Sequence, residues 1–223
     1  MDLRVFAFGC HPDDIEILMG GTLFLLKQAG AEIHYMNPAN GSLGTSEYDR
    51  EEIIRIRREE SVNAAALLGA EFHESIADDF EILYDLVLLR KITAVIRQIQ
   101  PDVMLLLSPE DYMEDHMNAA RLGYSAAFLR GMRNFQTIPE RTPFLNEITL
   151  YHAMPYPLCD MLNAPVEPDF FVDVESVIGD MKLMLAEHKS QKNWLDESQG
   201  LDSYIVSMTD RAAEVGKRSG EFR

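Results

Sequence analysis

Short apolar runs alternate with longer stretches of helical spacing through most of the chain, and this alternation limits the fold more than any other feature. Leu3 to Gly9 reads as a buried strand. Gly20 to Gly30 carries helical spacing (Leu23, Leu25, Leu26) and ends at a glycine. Glu32 to Met36 is a second strand. Residues 49–68 form a charged helix with an apolar stripe of Ile53, Ile54, Ala64, Leu67 and Leu68, again closed by a glycine. A short strand near Glu71 to His73 precedes a helix over Leu86 to Ile99, and Asp102 to Leu107 is the clearest strand of all. Such βαβ repetition predicts an α/β fold: a mostly parallel sheet with helices on both faces. With strand order 3-2-1-4-5, the first and fourth strands are neighbours where the order reverses, which is where such sheets bind ligands. The loops after those strands, Gly9 to Gly20 and Ser108 to His116, hold the unusual polar clusters.

The rest is less regular. Residues 131–146, with Pro139 and Pro143, read as a loop, and Glu147 to His152 as a fifth strand. A Pro-rich stretch at 154–168 leads to a candidate strand at Phe170 to Val174, a helix through about Gln191 and an amphipathic closing helix. That last helix packs either within the protomer or against another subunit. The 223 residues suit a single domain, 1–223, with irregular insertions around 131–168.

A net charge of -17 disfavours nucleic-acid phosphates and anionic membranes as partners. Cys10 and Cys159 are the only cysteines and give no disulfide framework or thiolate zinc knuckle; Cys10, after an apolar run, reads as a buried thiol. The N-terminus becomes charged too soon for a signal-peptide core, and no apolar stretch approaches the roughly 20 residues that span a bilayer. A cytoplasmic location is expected.

His11-Pro12-Asp13-Asp14-Ile15-Glu16 crowds four ionisable side chains behind an apolar strand, which is costly without a compensating cation. Imidazole and carboxylate are both zinc ligands, and a catalytic zinc usually has three protein ligands plus water. His11 and Asp14 suit that role, with Asp13 between them as a general base toward the water. The alternative is an acidic loop capping the helix that starts near Gly20. The second cluster runs from Glu110 to His116, and His116 is the natural third ligand; Asp115 could instead cap the following helix.

The stretch Gly9 to Leu23, GCHPDDIEILMGGTL, resembles the PIG-L or LmbE-like deacetylases, whose signature is a His-Pro-Asp-Asp-x-Glu turn and a Gly-Gly-Thr helix start. Arg57-Arg58-Glu59-Glu60 with Ala64, Ala65 and Leu68-Gly69 is similar to the family's central helix. Asp115-His116 matches its second metal motif, and Asp173 with Lys182…His188-Lys189-Ser190-Gln191 its C-terminal pattern. The likeness extends over most of residues 3–195. It implies a Rossmann-like fold and zinc-dependent hydrolysis of a linear amide C–N bond, removing the N-acetyl group of an N-acetylglucosamine-type sugar or glycoconjugate. By motif position His11, Asp14 and His116 bind Zn2+, Asp13 is the base, and Arg57 lies near substrate; iron or cobalt would also suit the donors.

One position departs from the pattern. Many members carry His-x-x-His in the second motif, the first histidine stabilising the oxyanion; here that position is Met113. Losing one such donor costs about two to three orders of magnitude in rate. Either a metal polarises the carbonyl alone, or Tyr112, His152 or His188 substitutes, or the protein binds ligand with little turnover. His152, at the end of the fifth strand, and His188, late on a helix, are the further substrate-binding candidates; His34 and His73 read as structural. Asn37, Asn40, Gly41 and Ser42 after the second strand either contact substrate hydroxyls or form a plain turn. A thiol-conjugate amidase and a silent sugar-binding homologue are the alternatives. A nucleotide-binding module is disfavoured, because the acidic first turn has no G-x-G-x-x-G.

Overall fold

The computed structural model of the chain describes residues 3–192 and 204–220. Its centre is a five-stranded, all-parallel sheet in the order β3-β2-β1-β4-β5, as the alternation predicts. The strands are β1 (Arg4–Phe8), β2 (Glu32–Met36), β3 (Glu71–His73), β4 (Val103–Leu106) and β5 (Thr149–His152). The helices are α1 (Asp14–Leu18), α2 (Gly20–Gln28), α3 (Arg50–Leu68), α4 (Leu86–Ile99), α5 (Glu114–Leu129), α6 (Ile178–Leu185) and α7 (Tyr204–Ser219).

Side chains alternate along a strand, so each face of the sheet has its own cover. Phe8 and Leu106 are register partners, and Gly123 of α5 sits where any Cβ would meet both rows. Tyr35, one residue out of phase, instead sends its hydroxyl to Glu16 on α1. Helices therefore cover both faces, α4 with α5 on one and α1, α2, α3 and α6 on the other. Val5, Phe6, Phe8, Ile33, Tyr35, Met104 and Leu106 have almost no exposed surface. A chain buried on both sides in this way reads as continuous apolar strands, which is what made them visible in the sequence.

Helix ends follow the capping chemistry of the sequence. Asp49 accepts from the Glu52 N–H at the start of α3, and Asp85 from Val87 and Leu88 at the start of α4. Gly69 closes α3 in the left-handed region.

Four expectations are corrected. The loop after β1 is not open up to Gly20, because Asp14 to Leu18 already form a helical turn that breaks at Met19 before α2 begins. The acidic side chains consequently do not cap α2, whose N-cap is Met19 with no side-chain hydrogen bond. Phe170 to Val174 is not a strand: Asp173 Oδ1 accepts the Glu175 N–H and turns the chain into a 3-10 turn at Glu175–Val177. The helix expected to run to about Gln191 stops at Leu185, and helical backbone resumes only at Lys189, so His188 lies in the break rather than late on a helix.

The C-terminal helix packs within the protomer. Tyr204 and Met208 of α7 join Val177, Met181 and Leu185 in a second apolar cluster. Residues 193–195, the end of the family-like stretch, lie outside the described residues.

Candidate metal centre

Where β1 and β4 lie side by side their carboxyl ends deliver the two acidic loops to one place. Gly9 is required at this exit, since a Cβ would fall 2.2 Å from Asn37 Oδ1. Three donor atoms then converge. His11 Nδ1 is 3.3 Å from His116 Nε2, His116 Nε2 is 3.4 Å from Asp14 Oδ2, and His11 Nδ1 is 3.7 Å from Asp14 Oδ2. Ligands about 2.0–2.1 Å from a tetrahedral zinc stand about 3.3 Å from each other, so the spacing fits one divalent ion.

The surroundings fit as well. His11 turns its other nitrogen to Asp115 Oδ2 at 3.0 Å, and His116 Nδ1 is 3.2 Å from Asp111 Oδ1. Each imidazole thus has a carboxylate behind it, the arrangement that orients metal-binding histidines. Asp115 is not the N-cap of α5; that place belongs to Met113, and the Asp115 carboxylate instead accepts from His11 and the Phe80 N–H. Asp13, Asp14, Asp111 and Asp115 are all buried, and Asp111 Oδ2 has no hydrogen-bond partner. Four buried carboxylates are costly to keep without positive charge. Burial opposes the charge on Asp14, yet His116 and His11 hold its carboxyl well below the usual range. Burial likewise works against protonating His116, but Asp14 and Asp111 raise it. Cys10 Sγ lies 3.9 Å from His11 Nε2, the nitrogen turned to Asp115 rather than to His116, and burial pushes its thiol up to about 12.

Asp13 occupies the turn between the ligands in left-handed backbone, φ 107°. Its Oδ2 accepts a hydrogen bond from the Tyr204 hydroxyl and lies 3.6 Å from Arg57 Nη2. Burial pushes the Asp13 carboxyl up to about 6, with Arg57 opposing that rise. Arg57, buried on α3, also donates to the Pro12 carbonyl, and Gly41 and Gly44 leave room for its guanidinium.

One residue beside Asp13 escapes sequence reasoning. Tyr204 comes from α7, 191 positions away from Asp13, and no local signal marks it. Glu16 is the glutamate of the His-Pro-Asp-Asp-x-Glu turn, but its setting is not local: it is wholly buried, accepts from Tyr35 and lies 3.0 Å from His188 Nε2.

The other candidates are placed at different depths. His188 is fully buried on Glu16, behind Asp13. Tyr112 is half exposed, its ring edge-on to His116 at 5.8 Å. His152 is exposed at the end of β5 and fixed by a 2.7 Å contact from Nδ1 to the Leu107 carbonyl. Met113 is half-buried, its N–H donating to Asp111 Oδ1. The turn after β2 is tied down by its own neighbours: Asn40 donates to Asp78, and Asp79 accepts from the Gly41 and Leu43 N–H groups. A cavity of about 970 Å³ between β5, residues 166–175 and α7 includes Ser108, His152 and Arg211 but none of the three donors. A second, of about 450 Å³, is lined by Tyr84, Arg121, Tyr124 and again His152. The chemistry is assigned to the donor cluster, where His11, Asp14 and His116 converge beside the buried Asp13 carboxylate; the cavities are adjoining space.

Residues 6–127 match the PIG-L family, described as GlcNAc-PI de-N-acetylase. The chain belongs to this family, whose deacetylases are metal-dependent in general. It is 28% identical over 198 residues to the diacetylchitobiose deacetylase of Thermococcus kodakarensis, covering 84% of this chain and 70% of that enzyme. Its fold matches the N,N'-diacetylchitobiose deacetylase from Pyrococcus horikoshii, solved with its inhibitor MPG, at a TM-score of 0.77 and 24% identity, covering 98% of this chain and 80% of that one. GalB, the 4-carboxy-2-hydroxymuconate hydratase from Pseudomonas putida KT2440, superimposes equally well, with a TM-score of 0.77 at 21% identity over 97% of this chain and 87% of that one. The fold alone therefore does not decide the reaction.

Proposed function

We propose that the chain is a divalent-metal hydrolase that removes the N-acetyl group from an N-acetylglucosamine-type sugar or glycoconjugate. The carrying observation is the convergence of His11 Nδ1, Asp14 Oδ2 and His116 Nε2 beside a buried carboxylate, Asp13. Membership of the PIG-L family and the likeness to a diacetylchitobiose deacetylase support the substrate class. His11, Asp14 and His116 would hold the ion, zinc being the first choice for two imidazoles and one carboxylate. Such an ion, when bound, supplies Lewis-acid polarisation and makes a nearby water more acidic.

The chain's own residues do the rest. Asp13 takes a proton from the attacking water and returns one to the leaving amine nitrogen, so water and amide become acetate and amine. Tyr204 and Arg57 fix the Asp13 carboxylate, each from a different helix. Arg57 and Tyr112 border the reacting end of the sugar. His152 lines both cavities and would contact its remainder. His188 acts from behind, through Glu16.

A second reading is a sugar-binding homologue with little turnover, and Met113 favours it, because a thioether donates no hydrogen bond to the developing oxyanion. Amine release from a panel of N-acetylated sugars, with and without chelator, separates the two. Chelator-sensitive release on at least one N-acetylglucosamine derivative is expected. Binding without release by a metal-replete protein would support the silent homologue. In the active case, Met113→His should raise turnover by about tenfold or more, toward the range one oxyanion donor supplies.

A further inference from the structure

We propose that His34, His73 and Glu71 form a second site for a divalent transition-metal ion, on the edge of the sheet where β2 meets β3. It is separated by β2 from the loops that carry His11, Asp14 and His116. The register creates it: His34 pairs directly with Glu71, and His73, two residues on, projects from the same face of β3. His34 Nδ1 stands 3.0 Å from His73 Nε2 and 3.7 Å from Glu71 Oε2, and the three donor atoms all lie within 4.8 Å of one another. These separations bracket the roughly 3.3 Å edge expected around a tetrahedral ion with ligands near 2.0–2.1 Å.

The orientation of His34 points the same way. His34 is buried, and Glu32 Oε1 lies 3.3 Å from its Nε2, on the same face of β2. That Nε2 is buried without a hydrogen-bond partner, while Nδ1 is the nitrogen that faces His73 and Glu71. Without an ion, one hydrogen bond between the imidazoles satisfies only that pair and leaves Glu71 uninvolved. With an ion, all three converge. Two imidazoles and one carboxylate select zinc, cobalt, nickel or copper over magnesium and calcium. The Glu71 side chain is 59% exposed, so an ion reaches the site from solvent. Its effect is structural: β3 has three residues and sits at the sheet edge, and the ion clips it to β2.

The test is the zinc stoichiometry of the full chain, stripped with chelator and dialysed against low-micromolar Zn2+, with Co2+ absorption as a second readout. Two ions per chain are expected in the wild type and one in His73→Gln. Glu71→Gln should weaken one of the two by about tenfold or more, the scale on which losing a supporting ligand acts. Amine release by both variants should match the wild type. Glu71→Gln changes an exposed side chain and keeps the test open if His73→Gln fails to fold. A single ion lost in His73→Gln yet kept in His116→Ala would support this site while removing the other. A wild type that holds only the His116-dependent ion would overturn the inference, as would a second ion indifferent to both variants.

Discussion

Asp13 draws its surroundings from three distant pieces of chain: its own turn after β1, Arg57 on α3 and Tyr204 on α7. The Tyr204 hydroxyl donates to the carboxylate and so favours its charged form. Removing that donor destabilises the carboxylate, and its pKa must rise. Tyr204→Phe is therefore expected to retain metal, to lower kcat by about tenfold, and to move the acidic limb of the rate profile to higher pH, measured as kcat/KM against pH. An unchanged limb would show that the hydroxyl does not hold the base. At this scale the sequence announced the ligands better than their supports. His11, Asp13 and Asp14 stand together in one turn, where chemistry crowds into a motif, and His116 closes a similar run. Tyr204, Asp111 and the burial of Glu16 depend on which segments the fold brings together, and no local pattern encodes that.

Among the elements, the central strands β1, β2 and β4 were legible because burial on both faces leaves largely apolar runs. The five-residue α1 was not, since it is too short to show a helical period and its sequence reads as an acidic turn. Phe170 to Val174 has the composition of a strand, but its chain turns at Asp173 and makes no ladder. Loop geometry also sets Arg57. Gly41 has φ +80°, and a Cβ there would fall 2.4 Å from Arg57 Cδ. Gly41→Ala should both strain the backbone, by about 1 kcal/mol or more, and displace the guanidinium from Asp13. A lower Tm together with reduced turnover and intact metal content is expected; a change in Tm alone would detach the loop from catalysis. Asp85→Ala is the contrasting case. It removes the α4 cap, costs about 1 kcal/mol, and leaves turnover unchanged.

Across the whole molecule, the sheet order places the ends of β1 and β4 together, and the acidic loops meet only because of that order. Much of the -17 net charge is solvated surface, but four aspartates are buried at this junction, with Arg57 and the imidazoles of His11 and His116 beside them. Among the described residues no helix is long and apolar enough to cross a membrane. The central claim is that His11, Asp14 and His116 hold a divalent ion for Asp13 to work beside. Metal content measured alongside amine release, on one preparation each of wild type, His116→Ala and Asp13→Ala, tests it most directly. Loss of the ion of this centre and of activity in His116→Ala, with metal kept and turnover lost by about a hundredfold or more in Asp13→Ala, is the expected result. Full metal content and undiminished turnover in His116→Ala would contradict it.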